Sequence, residues 1–305
     1  MRILLLGCKG QVGWQLQRSL AVVGAVTALD RHSSPLCGDL GNTMGLAHTV
    51  ELLKPDVIVN AAAYTAVDQA ERDRDAAFAI NATACDVLAR EAHRSGAWLV
   101  HYSTDYVFDG TGDRPWDEND IPAPLGAYGA SKRAGELAIM AQCPRHIILR
   151  TSWVFDSWGQ NFAKSILRAA SQRDQLTVVC DQWGAPTRAA LIADVTAHVL
   201  RRLRDQDVSA ALAGTYHLAA AGVTNWHEYA RLIVQQATAC GLPLKTTPER
   251  VLPIPARDYP LPAPRPFNSR LDTGLLRQTF GLSIPAWDAG VRSVVTELAT
   301  HSSFS

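Results

Sequence analysis

Tyr128 and Lys132 stand four residues apart, a spacing that places both side chains on one face of a helix. A free tyrosine has a pKa of about 10, and an ammonium about 4 Å away, at an effective dielectric constant of about 20, favours the phenolate by up to ~4 kcal/mol. We therefore predict that Lys132 brings the pKa of Tyr128 towards neutrality, where acid–base catalysis is most efficient. The same spacing also arises by chance on exposed helices.

Three polar residues upstream, Ser103-Thr104-Asp105, favour the catalytic interpretation. They follow an apolar run that is predicted to be a strand, and parallel sheets bind ligands at the carboxyl ends of their strands. A hydroxyl at such an end can orient a substrate carbonyl, so this cluster is expected to act with Tyr128 and Lys132, the predicted catalytic pair. The predicted chemistry is hydride transfer to a carbonyl, with Tyr128 supplying the proton.

A glycine run near the N-terminus predicts the seat of the hydride donor. Its GxxGxxG spacing differs from the usual GxGxxG fingerprint, and a plain turn could have the same pattern. The run nevertheless follows a predicted strand and opens a predicted helix, and helix N-termini bind the diphosphate of dinucleotides. We expect five residues of the run to contact a dinucleotide: Gly7, Gly10, Gln11, Val12 and Gly13.

The second predicted strand ends at Asp30, and Arg31 follows it. A carboxylate there accepts hydrogen bonds from the adenosine ribose and favours NADH, whereas an adjacent arginine can hold the 2′-phosphate of NADPH. The sequence therefore leaves the cofactor as NADPH or NADH. Asp39 and Leu40 could present a carboxylate to the adenine amine and a side chain to its face, and a helix N-cap is an equally good interpretation of Asp39.

Small residues follow another predicted strand, in the run Asn60-Ala-Ala-Ala63. They allow the backbone to approach a ligand closely, although tight packing of a helix against a strand would explain them equally well. Residues from this run and the neighbouring predicted strand complete the expected cofactor site: Ala61, Ala62, Ala63, Tyr64, Thr65 and Tyr102.

Composition limits the classes of partner. The 305 residues are 47% hydrophobic, and Lys+Arg and Asp+Glu each number 29, so no overall field attracts nucleic acid or an anionic membrane. No apolar run approaches the ~18 residues of a membrane span. The six cysteines are scattered, without CxxC pairs or metal-ligand spacing. We expect a soluble, cytoplasmic protein with reduced thiols, no metal centre and no nucleic-acid or membrane partner.

Apolar runs alternate with helical patterns through the first half, which is the rhythm of a doubly wound, Rossmann-like parallel α/β sheet. We expect a dinucleotide-binding unit at 1–150, joined by 182–212, and a smaller, irregular α/β substrate-binding unit at 151–181 and 213–305. Pro243–Pro266 contains eight of the 16 prolines, which excludes helix and central strand and predicts an ordered loop or lid. The predicted strands are Arg2–Gly7, Val23–Leu29, Asp56–Asn60, Trp98–Ser103 and His146–Thr151, and the predicted helices are Gln11–Ala21, Val67–Asp73, Asp75–Ser95 and Ala127–Ala141.

Several segments resemble the dTDP-4-dehydrorhamnose reductases, a family within the extended short-chain dehydrogenase/reductases. The most specific are STDYVFDG at Ser103–Gly110 and PRPFNSRLD at Pro264–Asp272, whereas the YxxxK pair alone indicates only the superfamily. The other similar segments extend over nearly the whole chain: the 7–13 turn, Asn60–Glu71, Tyr128–Lys132, Arg150–Phe155, Pro186-Thr187 and Asp194.

The resemblance implies that NAD(P)H passes hydride to the C4 carbonyl of dTDP-4-dehydro-6-deoxy-L-mannose, which gives dTDP-L-rhamnose in the last step of its biosynthesis. Tyr128 would be the proton donor, Lys132 its activator and ribose anchor, and Thr104 the hydroxyl that orients the carbonyl. Asp105 and Trp153 would contact the sugar, and the aromatic face of Trp153 suits the apolar face of a deoxysugar.

Three arginines in or beside the proline-rich stretch, Arg257, Arg265 and Arg270, are candidates for binding the substrate diphosphate, because guanidinium groups match phosphate oxygens. Solvated surface charges are the alternative. Some similar proteins dimerise through a magnesium ion held by carboxylates, including ones on the first helix. Since Gln11–Ala21 contains no Asp or Glu, we expect a monomer or a homodimer that forms without metal.

Two other functions remain open. A sugar-nucleotide dehydratase or epimerase could use the same fold, but a dehydratase needs a further acid–base group, which similar enzymes provide as a Glu directly after the Thr-Asp pair. Tyr106 stands there in this chain, which favours simple reduction. The second alternative is a non-catalytic, NADP(H)-binding regulatory subunit, against which the intact set of Thr104, Tyr128 and Lys132 argues.

Overall fold

The computed structural model of the chain describes residues 1–204 and 210–300. The strands in chain order are β1 (Arg2–Leu6), β2 (Ala25–Leu29), β3 (Val57–Asn60), β4 (Trp98–Thr104), β5 (His146–Thr151), β6 (Val154–Phe155), β7 (Leu176–Val179), β8 (Trp183–Gly184), β9 (Thr187–Arg188), β10 (Gly214–His217), β11 (Thr224–Asn225) and β12 (Val251–Ile254). Six of them form one sheet in the order β10-β5-β4-β3-β1-β2, and all its neighbouring pairs are parallel. The predicted doubly wound parallel sheet is confirmed.

The central sheet is covered on both faces, which explains its continuous apolar strands. In β1, Ile3 and Leu5 pack into the core on one face, and Leu4 and Leu6 pack into the core on the other. Successive side chains of a strand point to opposite faces, so a strand between two helical layers must be apolar at every position.

Some helices form the layers over this sheet, and the others belong to the second half of the chain. In chain order they are α1 (Gln11–Leu20), α2 (Thr43–Leu53), α3 (Val67–Ala70), α4 (Arg74–Phe78), α5 (Ala84–Ser95), α6 (Ala127–Gln142), α7 (Phe162–Gln172), α8 (Ala189–Leu203), α9 (Trp226–Ala239), α10 (Gly274–Phe280) and α11 (Trp287–Thr300). Leu16 of α1 and Ile192 of α8 pack on one face of the sheet, and Leu46 of α2 and Leu88 of α5 pack on the other.

A separate core lies in the second half of the chain. Ile166 of α7, Ile233 of α9 and Val294 of α11 pack together, and β7 and β12 border them. The strand β12 lies inside the proline-rich stretch and pairs in parallel with β7, with Pro253 opposite Val178. A two-stranded edge tolerates proline because one side of the strand needs no ladder hydrogen bonds. The proline-rich stretch therefore contains a strand as well as loop.

Most predicted strands and helices begin and end within three residues of the observed bounds. The observed structure differs from the prediction in other respects. Helix α2 was not predicted, and neither were the strands and helices that follow β5. The single helix expected at Asp75–Ser95 is divided into α4 and α5 by a π-helical turn at Ala79–Thr83. Strand β10 joins the main sheet, although its residues fall in the range expected to belong mainly to the second unit. Positions 205–209 and 301–305 of the expected units lie outside the described residues.

Across the described ranges, each helix is too short or too polar to cross a lipid bilayer.

Candidate active site

Most of the predicted site residues line one groove, which has a volume of about 980 Å³ and lies at the carboxyl ends of the central strands. The predicted residues in its wall are Gly7, Gly10, Gln11, Val12, Asp30, Arg31, Asp39, Leu40, Ala61, Ala62, Ala63, Tyr64, Thr65, Tyr102, Thr104, Asp105, Tyr128, Lys132 and Trp153. The glycine turn and the Ser-Thr-Asp cluster therefore meet in space, as expected. The remaining predicted residues, which lie outside the lining, are Gly13, Arg257, Arg265 and Arg270.

The glycine turn fits the diphosphate of a dinucleotide. Gly7 has φ +82°, and a Cβ there would lie 2.6 Å from Ala62 N, so only glycine suits this close approach. A Cβ on Gly13 would lie 2.0 Å from Gly7 O, which explains why Gly13 packs behind the turn and does not line the groove. Gly10 precedes α1 without a side-chain cap, and the first turn contains no acidic residue. The helix N-terminus can therefore receive an anion.

At the end of β2, the Asp30 carboxylate is already paired. Lys9, a groove residue that the sequence analysis missed, forms an ion pair with it, and His32 N donates to Asp30 Oδ1 at 2.8 Å. The contact with Lys9, followed by the His32 hydrogen bond, lowers the pKa of Asp30 to about 2. The carboxylate is therefore ionised throughout the physiological range.

The N-cap interpretation of Asp39 is wrong. Asn42 caps α2 by accepting a hydrogen bond from Gly45 N at 2.9 Å, whereas Asp39 Oδ1 accepts from Gly41 N at 2.9 Å in the preceding turn. Asp39 and Leu40 both line the groove. Their contact with an adenine stays a prediction.

Tyr128, on α6, lines the groove, but its pKa is shifted upwards, which is opposite to the predicted direction. Burial, followed by the charge of Asp105, raises the pKa of Tyr128 to about 12, and a hydroxyl contact with Thr104 opposes them only in part. Lys132 does not lower this pKa, because its ammonium is directed to His101 and Tyr102. Tyr128 is consequently protonated at neutral pH, the state that a proton donor needs.

Lys132 is buried, and two hydrogen bonds hold its ammonium group. Its Nζ donates to the Tyr102 carbonyl at 2.6 Å and contacts His101 Nε2 at 3.0 Å. His101 is buried, and burial, followed by the charge of Lys132, holds its pKa well below the usual value, so the ring is neutral. The sequence analysis missed His101. Its signal was a histidine on β4 three residues before Thr104.

Thr104 and Asp105 lie together where β4 passes into a short 3-10 turn. Thr104 Oγ1 donates to Asp105 Oδ1 at 3.1 Å and accepts a hydrogen bond from Tyr106 N at 3.1 Å. Burial raises the pKa of Asp105 to about 6, while hydrogen bonds from Ser269 and Thr104 act in the opposite direction. The turn therefore fixes a hydroxyl and a buried carboxyl group beside Tyr128.

Trp153 lines the groove, and its backbone has a left-handed conformation that is strained for a residue other than glycine. Its φ is +48°, which is unusual for a bulky residue, and its ring stacks on Trp226 with the centroids 3.8 Å apart. Trp226, at the start of α9, also lines the groove and was missed by the sequence analysis. A Cβ on Gly184 would lie 2.8 Å from the Trp153 ring, so the ring is also packed from the β8 side.

The structure does not bring the three candidate arginines into the groove. Arg265 pairs with Asp68 at 2.8 Å, and Arg270 Nε donates to Asn268 Oδ1 at 2.8 Å. Arg257 is 85% exposed beside its neighbour Asp258. Each guanidinium therefore has a local contact away from the groove lining, and the binding of the substrate diphosphate by these arginines stays a prediction.

The fold, the motifs and the groove agree with the comparisons. The family described as RmlD substrate binding domain matches residues 1–300. The chain belongs to this family. It is 52% identical to the dTDP-4-dehydrorhamnose reductase of Salmonella typhimurium, over 98% of this chain and 99% of that protein, and 50% identical to that of Escherichia coli, with the same coverage. The family resemblance predicted from the motifs is confirmed.

A solved structure from the same family extends the likeness to three dimensions. The crystal structure of dTDP-4-dehydrorhamnose reductase from Bacillus anthracis, in complex with NADP, is 34% identical to this chain and superimposes with a TM-score of 0.87. The match covers 97% of this chain and 99% of that one. The likeness to this family's fold therefore spans nearly the whole chain.

Proposed function

We propose that the chain is an NAD(P)H-dependent oxidoreductase that reduces the C4 carbonyl of dTDP-4-dehydro-6-deoxy-L-mannose to dTDP-L-rhamnose. The observation that carries the proposal is the convergence of Thr104, Tyr128 and Lys132 with the glycine turn in a single groove. Relatives that are about half identical over their full length are dTDP-4-dehydrorhamnose reductases. The NADP complex of the Bacillus anthracis enzyme supports the cofactor class.

When bound, NAD(P)H supplies the hydride. Tyr128, protonated because burial raises its pKa to about 12, donates a proton to the oxygen of the carbonyl that is reduced. The Thr104 hydroxyl contacts the Tyr128 phenol, and by turning its single proton from Asp105 it can donate to the same carbonyl oxygen. Lys132 Nζ has two protein partners and a third N–H, which is free to hold the ribose hydroxyls of the cofactor.

For the sugar, we assign the stacked Trp153 and Trp226 as the aromatic wall and Asp105 as a hydrogen-bonding partner. A deoxysugar has an apolar face that packs well against an aromatic ring. The two rings stack with their centroids 3.8 Å apart and both line the groove, so together they form an aromatic wall for the sugar.

The direct test is an assay of the purified protein with dTDP-4-dehydro-6-deoxy-L-mannose and each reduced cofactor. We expect oxidation of the cofactor only when the keto-sugar nucleotide is present, and we expect Tyr128→Phe to lose most of kcat, by about 10²–10⁴-fold. A variant of an exposed tyrosine remote from the groove, Tyr259→Phe, is the matched control. Cofactor binding without turnover would contradict the reductase and favour a regulatory subunit.

We also propose that the chain acts in the cytoplasm and divides into two units. Its six cysteines are free thiols, which supports a reducing compartment. The separate core formed by α7, α9 and α11 supports a second unit that binds the sugar nucleotide, beside the unit built on the parallel sheet. Limited proteolysis followed by mass mapping of the fragments tests this division.

A further inference from the structure

A second phenol lies beside Tyr128 in the groove, and the proposed function gives it no role. Tyr106 lines the groove, and its ring packs edge-on against the ring of Tyr128, with the centroids 5.6 Å apart and the ring planes at 76°. This edge contact is a favoured geometry for two aromatic rings. The two phenols are therefore direct neighbours in the groove.

The backbone of Tyr106 is held from two sides. Its N–H donates to Thr104 Oγ1 at 3.1 Å, and a Cβ on Gly129 would lie 2.1 Å from Tyr106 O. Helix α6 approaches this carbonyl so closely because Gly129, the residue after Tyr128, has no side chain. The position of Tyr106 is therefore tied to Thr104 and to the helix that carries Tyr128.

The hydroxyl of Tyr106, in contrast to its ring, is free. Within residues 1–204 and 210–300 it has no hydrogen-bond partner in the protein, and it is not sealed from the groove. Burial, followed by the charge of Asp105, raises the pKa of Tyr106, so the hydroxyl keeps its proton at neutral pH. A protonated phenol donates one hydrogen bond and accepts another, so this group is available to a ligand.

The place of this hydroxyl selects the atom of the sugar that it can meet. In the proposed function, Tyr128 gives its proton to the C4 carbonyl oxygen, and Tyr106 is the immediate neighbour of Tyr128. In dTDP-4-dehydro-6-deoxy-L-mannose, C4 is flanked by C3, which bears a hydroxyl, and by C5, which bears a methyl group. Only the C3 hydroxyl can form a hydrogen bond there. The charge of Asp105 disfavours an anion such as the diphosphate at this point.

We propose that Tyr106 is a specificity residue for the sugar: its hydroxyl hydrogen-bonds the C3 hydroxyl, while its ring holds the ring of Tyr128 in place. The proposal rests on the reductase activity in the proposed function. It assigns separate tasks to two parts of one side chain, because the hydroxyl acts on substrate affinity and the ring acts on the position of the proton donor.

Tyr106→Phe tests the hydroxyl, because it keeps the ring. We expect the KM for the keto-sugar nucleotide to rise by about five- to tenfold, with kcat changed by less than about twofold, since one neutral hydrogen bond to the substrate is lost. Cofactor affinity and the midpoint of thermal unfolding should not change. Tyr259→Phe, which alters an exposed tyrosine outside the groove, is the matched control. An unchanged KM in Tyr106→Phe would overturn the proposal.

The 3-deoxy analogue of the substrate identifies the atom that Tyr106 recognises. The unmodified protein should have a KM for this analogue about five- to tenfold above that for the natural keto-sugar nucleotide. Tyr106→Phe should have the same KM for both to within about twofold, because each change removes the same hydrogen bond. Losses that add independently would contradict a contact between Tyr106 and the C3 hydroxyl.

Tyr106→Leu tests the ring. It should show the KM increase of Tyr106→Phe and also a kcat that is lower by about tenfold, because Tyr128 loses the edge contact that positions it. A kcat equal to that of Tyr106→Phe would refute the role of the ring. No reduction by the unmodified protein would refute the proposed function itself, whereas reduction with an unchanged KM in Tyr106→Phe would refute only the role of Tyr106.

Discussion

Burial controls the pKa values of two acidic groups that line the groove, the Tyr128 phenol and the Asp105 carboxyl group. It raises the pKa of Tyr128 to about 12 and that of Asp105 to about 6. The consequences differ: a protonated phenol is what reduction requires, whereas a buried carboxylate that is ionised at neutral pH costs stability. Burial therefore favours the protonated phenol that Tyr128 needs, and it disfavours the ionised carboxylate of Asp105.

Asp105→Asn is expected to stabilise the protein at neutral pH. The folded pKa of about 6 lies above the unfolded value of 3.8, so the folded state holds an extra proton between these values and the free energy of unfolding falls as the pH rises through them. Near pH 7.5 the variant should therefore be more stable by up to about 2–3 kcal/mol, with little difference near pH 4. Urea unfolding at both pH values measures this.

The functional cost of the same substitution should be a higher KM for the sugar nucleotide, because a carboxylate contact is lost. Asn retains an oxygen that can accept the hydrogen bond from Thr104, so the short turn itself should persist. We expect the stability that Asp105→Asn gains over the unmodified protein to be larger at pH 7.5 than at pH 4. A gain that is larger at pH 4 would contradict the assigned pKa of Asp105.

His101→Leu is expected to reduce kcat by about tenfold to a hundredfold, because the buried Lys132 ammonium loses one of its hydrogen-bond partners. His101→Gln offers an amide oxygen in a similar position and should recover part of the rate. Steady-state kinetics of both variants, together with their cofactor affinities, measures the effect. Unchanged kcat in His101→Leu would show that the Tyr102 carbonyl alone orients Lys132.

Residues close together in the sequence were predictable, and distant partners were not. The glycine run and the Tyr128–Lys132 pair show their spacing directly. The contacts of Lys132 with His101 and of Trp153 with Trp226 join residues 31 and 73 positions apart, and only the folded chain brings them together. The wrong prediction for Tyr128 has the same origin, because no local pattern reports where the Lys132 ammonium is directed.

At the scale of elements, helix α6, which carries Tyr128 and Lys132, is held to the sheet by a buried ion pair. Glu136, on α6, accepts from Arg150 Nε at 2.9 Å and from Arg150 Nη2 at 2.8 Å, and Arg133 adds a contact at 2.8 Å. Burial alone would raise the pKa of Glu136, but the hydrogen bonds and charge of Arg150 bring it below the usual value. Glu136 lies one helical turn beyond Lys132, so its ion pair with Arg150 helps fix the helical face that carries Lys132 and Tyr128.

Glu136→Gln is expected to destabilise the protein by about 3–5 kcal/mol, because it leaves the buried Arg150 without a counter-charge. Arg133→Gln is the matched control: Arg133 is partly exposed at the other side of the same carboxylate, and its loss should cost about 1 kcal/mol or less. Urea unfolding of both variants measures the difference. Equal losses of stability in the two variants would show that removing the counter-charge of Arg150 costs no more than removing the outer contact with Arg133.

Two of the elements that the sequence patterns missed, α2 and β12, lack a clean apolar periodicity. Strand β1 is apolar at every position after Arg2, whereas α2 exposes Met44 and Leu52 while burying Thr49, so its pattern does not indicate one buried face. Strand β12 contains a proline and is stabilised by its pairing with β7, which is a tertiary contact. Pattern alone cannot report such contacts.

At the scale of the whole molecule, the second half of the chain braces the glycine turn. Trp158 stacks on Trp14 with the centroids 4.0 Å apart, and its Nε1 donates to Lys9 O at 3.0 Å. Asn161 Nδ2 donates to Gln11 Oε1 at 2.9 Å. The loop before α7 therefore contacts α1 and the residues that precede it, so the geometry of the predicted cofactor seat depends on both halves of the chain.

The association state should not depend on magnesium. Mg²⁺ is bound through oxygen-rich, anionic ligands, and α1 contains no Asp or Glu. Its one charged side chain is the cation Arg18, which already pairs with Asp194 at 2.8 Å, so the carboxylate beside this face of α1 has a partner within the protein. Sedimentation velocity with millimolar MgCl₂ and with EDTA should give the same sedimentation coefficient, and NaCl at matched ionic strength controls for screening. A shift to a faster species that appears with Mg²⁺ and reverses with EDTA would show that carboxylates elsewhere on the surface bind the ion.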